Sequence, residues 1–319
     1  MSAQSAPALT DDCVQPFLID ASGVNGRLVR LGGAIDGILA RHSYPDPVKR
    51  LLGEFLALGA GLATTLKYDG VFTLQTKGDG PVPMMVADVT SEGAVRGFAQ
   101  VTGETPASEA IGDAPVPRLL GEGYLAFTVD QGGDMDRYQG VVELSGATLE
   151  DCVHHYFEQS EQFSSAIKLS AGTGRDGSWR AACLSVQRLP DEGGTGAQAR
   201  EETEDDWRRA VTLMATAKEA ELLDPDLTPD QLLFRLFHED GVRVFEPRAL
   251  DDRCRCSRER SGRMLIALGR EELSDLKFDD GTVEVTCQFC NRSERFTDAD
   301  LDVVEAEVAR EAAEEEKTQ

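Results

Sequence analysis

Four of the seven cysteines have a spacing that can do chemistry. Cys254 and Cys256 form a CxC pair, and Cys287 and Cys290 form a CxxC pair with 30 residues between the two motifs. In CxxC, two thiolates three residues apart on a tight turn can bite one ion. The next residue, Asn291, tolerates the left-handed backbone that such turns often need. In CxC, residues two apart in a strand point to the same face, so both sulfurs reach one ion after a modest bend. Four thiolates in a tetrahedron suit Zn²⁺ at about 2.3 Å, although soft sulfur also accepts iron or copper. The competing reading is four unrelated thiols. Large apolar residues are sparse from Cys254 to Asp302, so a metal staple would supply much of that region's folding energy.

The same thiols support a second chemistry. Zinc holds them as thiolates, the oxidisable form. An oxidant can convert each pair to a disulfide and free the ion. Both loops are very short, so the disulfides gain little loop-closure stability and should be reduced again easily. Loss of the metal would remove the region's folding energy, and whatever docks against it would lose its partner. A reversible order–disorder switch follows, set against a purely structural zinc.

The elements that must position these residues can be read in order. Asp46-Pro47 starts a helix, with Asp as N-cap and Pro at the first position, and Val48, Leu51, Leu52, Phe55, Leu56 and Leu62 follow near helical spacing. Gly53, Gly59 and Gly61 weaken that helix unless something packs closely against them. Strands are expected over 71–76, 83–89, 95–101, 124–129, 138–144, 166–171 and 179–186, several joined by short Gly turns such as Gly78-Asp79-Gly80-Pro81. Thr148, with Asp151 three residues on, caps a helix between them. Strands in runs joined by short turns predict an α+β fold: a mainly antiparallel-sheet core with packed helices over 1–190. Residues 191–253 read as an acidic connector and a metastable helical linker. Asp191 to Asp206 holds seven acidic residues and three glycines and is expected to be flexible. Helices are expected over about 207–223 and from the cap Thr228, with Pro229 first and Gln231 completing a capping box. The apolar face of this linker has no partner within itself, so it must dock on a neighbour or stay exposed. Residues 254–302 form the small zinc-binding domain, and 303–319 an acidic helical tail.

Composition narrows the function classes. The chain has 319 residues and a net charge of −25. Such acidity repels phosphate backbones, so no nucleic-acid partner is expected. A zinc-ribbon nucleic-acid module is the first alternative, but residues 254–302 carry 8 basic against 11 acidic side chains. A thiol–disulfide oxidoreductase is the second, but the CxxC lacks a βαβ setting. The N-terminus has neither a basic nor an apolar signal region, and no stretch is long enough to span a bilayer. A soluble, cytoplasmic protein with no membrane partner is expected. Cys13, Cys152 and Cys183 are isolated and read as small packed hydrophobes.

Several stretches together resemble the heat-shock protein 33 family of redox-regulated bacterial holdase chaperones. They are His42-Ser43-Tyr44-Pro45-Asp46-Pro47-Val48-Lys49, the Gly78-Asp79-Gly80-Pro81 turn, Tyr138-Gln139-Gly140-Val141-Val142, Tyr156-Phe157 with Ser160-Glu161-Gln162, and Cys254-Arg255-Cys256-Ser257-Arg258-Glu259-Arg260 with the later CxxC. The resemblance implies an α+β core, a linker and a zinc redox-switch domain with one Zn²⁺ on Cys254, Cys256, Cys287 and Cys290. It implies that oxidation forms Cys254–Cys256 and Cys287–Cys290, releases the zinc, unfolds the linker and promotes a homodimer. The exposed surface then holds unfolding client proteins without ATP, as a binder and not an enzyme. Asn291 departs from the family, where Gly is common at this position, and the N-terminal extension and acidic tail lie outside the resemblance.

Overall fold

The computed structural model describes residues 11–132, 138–160, 164–188 and 197–318. The chain divides into two units, Met1–Arg253 and Cys254–Gln319. The first begins with β1 (Cys13–Ile19), β2 (Val24–Leu31), α1 (Gly33–Ala40), α2 (Asp46–Ala63), β3 (Val71–Gly78), β4 (Met84–Thr90) and β5 (Ala94–Gln100). It continues through α3 (Ser108–Ile111), a π-helical turn (Val116–Leu120), β6 (Gly123–Asp130), β7 (Tyr138–Glu143), α4 (Leu149–Ser160), β8 (Ser165–Thr173) and β9 (Trp179–Gln187). It closes with α5 (Ala197–Ala215), α6 (Glu219–Leu222), α7 (Pro229–Phe237) and the short strands β10 (Val242–Val244), β11 (Arg248–Ala249) and β12 (Asp251–Asp252). Two six-stranded sheets result. The first has the order β10-β1-β2-β9-β8 with β11 also on β1, and the second β12-β5-β4-β3-β6-β7. Among the described strands every pairing is antiparallel except β12 on β5, as the α+β expectation requires.

Helix α2 lies between the sheets, and its glycines set how close they come. A Cβ on Gly53 would sit 2.9 Å from Ala171 Cβ, and one on Gly61 3.2 Å from Cys183 Sγ, both on the first sheet. A Cβ on Gly59 would meet Ala87 Cβ of the second sheet at 3.4 Å. Small strand side chains are what approach the helix here. The helix starts one residue earlier than expected: Pro45 is the extended N-cap, Asp46 begins the first turn and Pro47 follows it. Asp46 still favours the helix through its charge near the positive end of the dipole.

The first sheet is apolar on both faces, which is unusual for an antiparallel sheet, where one face is commonly solvated. Alternation puts Val14, Val29, Leu31, Ala181 and Cys183 on the α2 side. Phe17, Ile19, Val24, Leu28, Ala182, Leu184 and Val186 face the other way. That second face is covered by the linker, whose Ala210, Met214, Ala217, Leu222, Leu223, Leu232, Leu233, Leu236 and Phe237 are buried against it. Phe237 stacks on Phe17 with ring centroids 5.5 Å apart. The Phe17 ring in turn lies over Gly26, where a Cβ would come within 2.0 Å of it.

The linker departs from the expected pattern at its start. The portion of the acidic connector at 191–196 lies outside the described residues. From Ala197 the chain is helical, so 197–206 belongs to α5 and is not a flexible connector. Ala, Gln, Arg and Glu there are strong helix formers, and this outweighs the acidity. The helix expected over about 207–223 is broken at 216–218, where Lys218 is extended and begins the short α6. Thr228 caps α7 as expected: its Oγ1 accepts from Gln231 N at 3.3 Å, and Gln231 Oε1 accepts from Thr228 N at 3.0 Å.

The second unit comprises α8 (Arg258–Leu268), α9 (Arg270–Ser274), the hairpin β13 (Val283–Thr286) and β14 (Ser293–Phe296), and α10 (Asp298–Thr318). Its apolar core is small: Leu265, Leu273, Val283, Phe296 and Leu301, with Ile266 and Val285 at the edge. Helix α10 runs straight across the 302/303 boundary read from the sequence. A Cβ on Gly262 of α8 would meet Val304 at 2.9 Å, and Arg263 pairs with Glu311 at 2.7 Å, so the start of the acidic tail is packed helix. The side chains of Glu314, Glu315 and Glu316 lie outside the described residues.

Candidate metal centre

Each cysteine pair is placed by an ordinary local device. Ser257 is extended and its Oγ accepts from Arg260 N at 3.2 Å, which caps α8. The capped helix start ends the extended run at Cys256 and turns both CxC sulfurs toward the hairpin. The CxxC motif is the tip of that hairpin. Asn291 N donates to Cys287 O at 2.8 Å, Cys287 N donates to Arg292 O at 2.9 Å, and Asn291 closes the turn with φ +55°. Asparagine is among the few residues that tolerate this left-handed conformation.

The four sulfurs converge. Cys254 Sγ lies 3.7 Å from Cys287 Sγ, and Cys256 Sγ lies 3.4 Å from Cys290 Sγ. All four lie within 4.8 Å of one another, forming the one such metal-ligand group of three or more among the described residues. A tetrahedron of sulfurs around zinc at about 2.3 Å has edges of about 3.8 Å, close to the 3.7 and 3.4 Å separations here, so the donor set suits that ion. All four cysteines are unbridged and half-buried.

The thiols also act on one another. Burial raises the Cys254 thiol, but hydrogen bonds from the Cys256 backbone and side chain, then from Cys290 and Cys287, outweigh it and bring it down to about 7. Burial and then hydrogen bonds with Cys290 and Cys254 push Cys256 up, and burial raises Cys290. Hydrogen bonding within the cluster thus favours the thiolate form of Cys254.

The remaining candidates fall elsewhere. Cys13, Cys152 and Cys183 are buried in the first unit, where burial lifts their thiols to about 11, 11 and 12. The Gly78–Pro81 turn is consumed by backbone: Gly80 N donates to Leu120 O at 2.8 Å and Val82 N to Leu119 O at 2.8 Å. A Cβ on Gly80 would lie 2.5 Å from Leu119 O, so this glycine serves close backbone approach. Two polar residues on the linker side of the first sheet, Gln15 and Arg30, gave no signal in the sequence. Both are buried, and both hydrogen-bond to carbonyls downstream of residue 220.

The chain is similar to known proteins along most of its length. The Hsp33 protein family model matches residues 12–297. A 33 kDa chaperonin of Caulobacter vibrioides (strain NA1000 / CB15N) is 42% identical over 287 residues, covering 88% of this chain and 93% of that protein. The 33 kDa chaperonin of Azotobacter vinelandii is 42% identical over 291 residues, covering 91% and 93%, and that of Pseudomonas fluorescens (strain SBW25) is 39% identical, covering 91% and 92%. In fold, the chain matches the crystal structure of the 33 kDa chaperonin (heat shock protein 33 homolog) of Thermotoga maritima with a TM-score of 0.76 at 24% identity, covering 92% of this chain and 97% of that one. No described helix is long and apolar enough to cross a membrane. With its family model spanning the core, the linker and all four clustered cysteines, the chain belongs to the Hsp33 family.

Proposed function

We propose that this protein is a redox-regulated, ATP-independent holdase chaperone of the cytoplasm, kept closed in its reduced form by one zinc ion on Cys254, Cys256, Cys287 and Cys290. The observation that carries the reading is the convergence of those four sulfurs within 4.8 Å. Bound there, zinc holds the sulfurs as thiolates and ties the start of the second unit to the tip of its hairpin. Each pair gives up two electrons to an oxidant such as peroxide, which takes them and the available protons to become water. The products are the disulfides Cys254–Cys256 and Cys287–Cys290, whose sulfurs no longer serve as anionic ligands. The five buried apolar residues of the second unit cannot hold it alone. Residues 191–253 act as the linker between the core over 1–190 and the zinc region over 254–302, and the linker ends one residue before Cys254. Freed of its folded anchor, it leaves the first sheet and bares the face formed by Phe17, Ile19, Val24, Leu28, Ala182, Leu184 and Val186. Unfolded clients, and a second copy of the chain, bind apolar surface of that kind. The relatives' name, 33 kDa chaperonin, supports the client assignment.

The test uses purified reduced protein treated with peroxide or hypochlorite at mild heat. About one zinc per chain should be released, peptide mapping should find the two local disulfides, and the product should suppress aggregation of a denatured client without ATP. Zinc release without client protection refutes the holdase. Salt-dependent nucleic-acid binding or multiple-turnover insulin reduction refutes it in favour of the ribbon or oxidoreductase readings.

A further inference from the structure

Position 30 breaks the pattern of its strand. In β2 the side chains of Val24, Leu28 and Arg30 alternate onto the linker-facing side, which is mainly apolar. Arg30 is 1% exposed and is the only buried cation among the described residues. Placing a guanidinium there sacrifices its hydration, which is costly unless it is fully partnered. Its partners come from two sources. From the core, Asp11 receives Arg30 Nε at 3.2 Å, and Asp11 is itself held by Arg180, which pairs with Asp176 at 3.2 Å. From the linker, the carbonyl oxygens of Asp224 and Leu227 accept from the two ends of the guanidinium fork. Those carbonyls bracket the turn between α6 and α7, so one side chain fixes the exit of the first helix and the entry of the second. Gln15, on the same face, likewise donates to the carbonyl of Phe245 further along.

We propose that Arg30 is the latch of the linker: a guanidinium preoriented by Asp11 in the core grips the α6–α7 turn by two backbone carbonyls and sets how readily the linker opens. The proposal rests on the holdase reading for its consequence, but its geometry is independent of the cysteines. Arg30 senses no oxidant. It sets the threshold that loss of the zinc unit must overcome. Its acceptors on the linker are main-chain atoms, and the Asp224 carboxylate adds a favourable charge nearby. Arginine is needed because a planar fork meets two carbonyls at once, whereas the ammonium of lysine is a single point.

The test compares wild type, Arg30→Met and Arg30→Lys as reduced, zinc-loaded full-length proteins, by hydrogen exchange over 207–241 and by client aggregation. Arg30→Met should exchange at least tenfold faster in α6 and α7, with β3, β4 and β6 still protected and one zinc per chain retained. Arg30→Lys should fall between it and wild type. Wild-type exchange in both variants overturns the latch. If Arg30→Met also loses protection in β8 and β9, Arg30→Lys decides: linker exchange equal to wild type makes Arg30 a structural residue of the sheet and overturns the proposal, and faster exchange confined to 219–237 supports it. Oxidised wild type is assayed alongside. If it protects no client, the holdase reading fails, while the exchange data on the reduced variants still decide the latch.

Discussion

Replacing Phe237 by Ala tests whether the linker covers the first sheet by packing alone. Phe237 is fully buried and stacks on Phe17 at 5.5 Å, above the space left by Gly26. Removing a buried Phe side chain costs about 3–5 kcal/mol. In the undocked linker the side chain is in water, so the loss falls on the docked state. At about 1.4 kcal/mol per factor of ten, the docking equilibrium should fall roughly 100- to 4,000-fold. Phe234, three residues earlier on the same helix, is 63% exposed and provides the control. Its replacement by Ala should move stability by no more than about 0.5 kcal/mol. The assay is hydrogen exchange of the reduced, zinc-loaded proteins over α5 to α7, with client aggregation in parallel. Phe237→Ala should exchange faster by up to the calculated factor and hold clients without oxidant, while Phe234→Ala behaves as wild type. Equal exchange in all three proteins refutes the packing argument. Fast exchange with no gain in client protection refutes the idea that the covered face is the one clients use.

Two further outcomes are expected. Chelating the metal from reduced protein should remove exchange protection from β13 and β14 while the two sheets of the first unit keep theirs, because the five core side chains of the second unit supply only about 8–15 kcal/mol of burial and zinc is worth a similar amount; protected β13 and β14 in metal-free protein would overturn this. Glu54, half-buried on α2, is pushed up to about 8, by burial first, with Arg50 opposing and Glu150 and Glu219 adding to the rise. Its folded value lies above the unfolded one near 4.5, so its favourable contribution is complete below pH 4.5 and is lost as pH rises through about 8. Urea midpoints at pH 5, 7 and 9 should therefore show Glu54→Gln gaining on wild type as pH rises, and a pH-independent difference would contradict the assignment.

The sequence showed the metal-ligand cluster more clearly than it showed the sheet beneath the linker. CxC and CxxC are local, and a capped helix start and a hairpin tip suffice to aim four sulfurs, so spacing alone foretold the cluster. The later strands, from Val71 to Gln187, were legible because alternation and Gly turns mark them. Strands β1 and β2 were not, because Gln15, Pro16, Arg27 and Arg30 interrupt the apolar alternation. Gln15 and Arg30 make sense only against partners more than 190 residues away in the chain. The early start of α5 was hidden for another reason: acidic runs read as solvated connector, yet their Glu, Gln and Ala residues are good helix formers once Trp207 and Met214 give the helix something to dock on.

Coverage of the first sheet also shapes how such a protein would release what it binds. Helices α6 and α7 are short, and isolated helices of this length are marginal in water, so most of their stability comes from the sheet they cover. A client bound to Phe17, Leu28 and Leu184 occupies the same atoms, which makes docking of the linker and binding of that client mutually exclusive. The apparent affinity for client is then the intrinsic affinity scaled by the fraction of molecules that are open. On the proposed function, two determinants would set that fraction. Packing and the Arg30 fork act at α6 and α7, and the thiol state acts just beyond Arg253. On that reading an oxidant need not create a binding surface, because the face under the linker is mainly apolar from the start. It need only remove the anchor of a cover held in place by contacts that the client can replace.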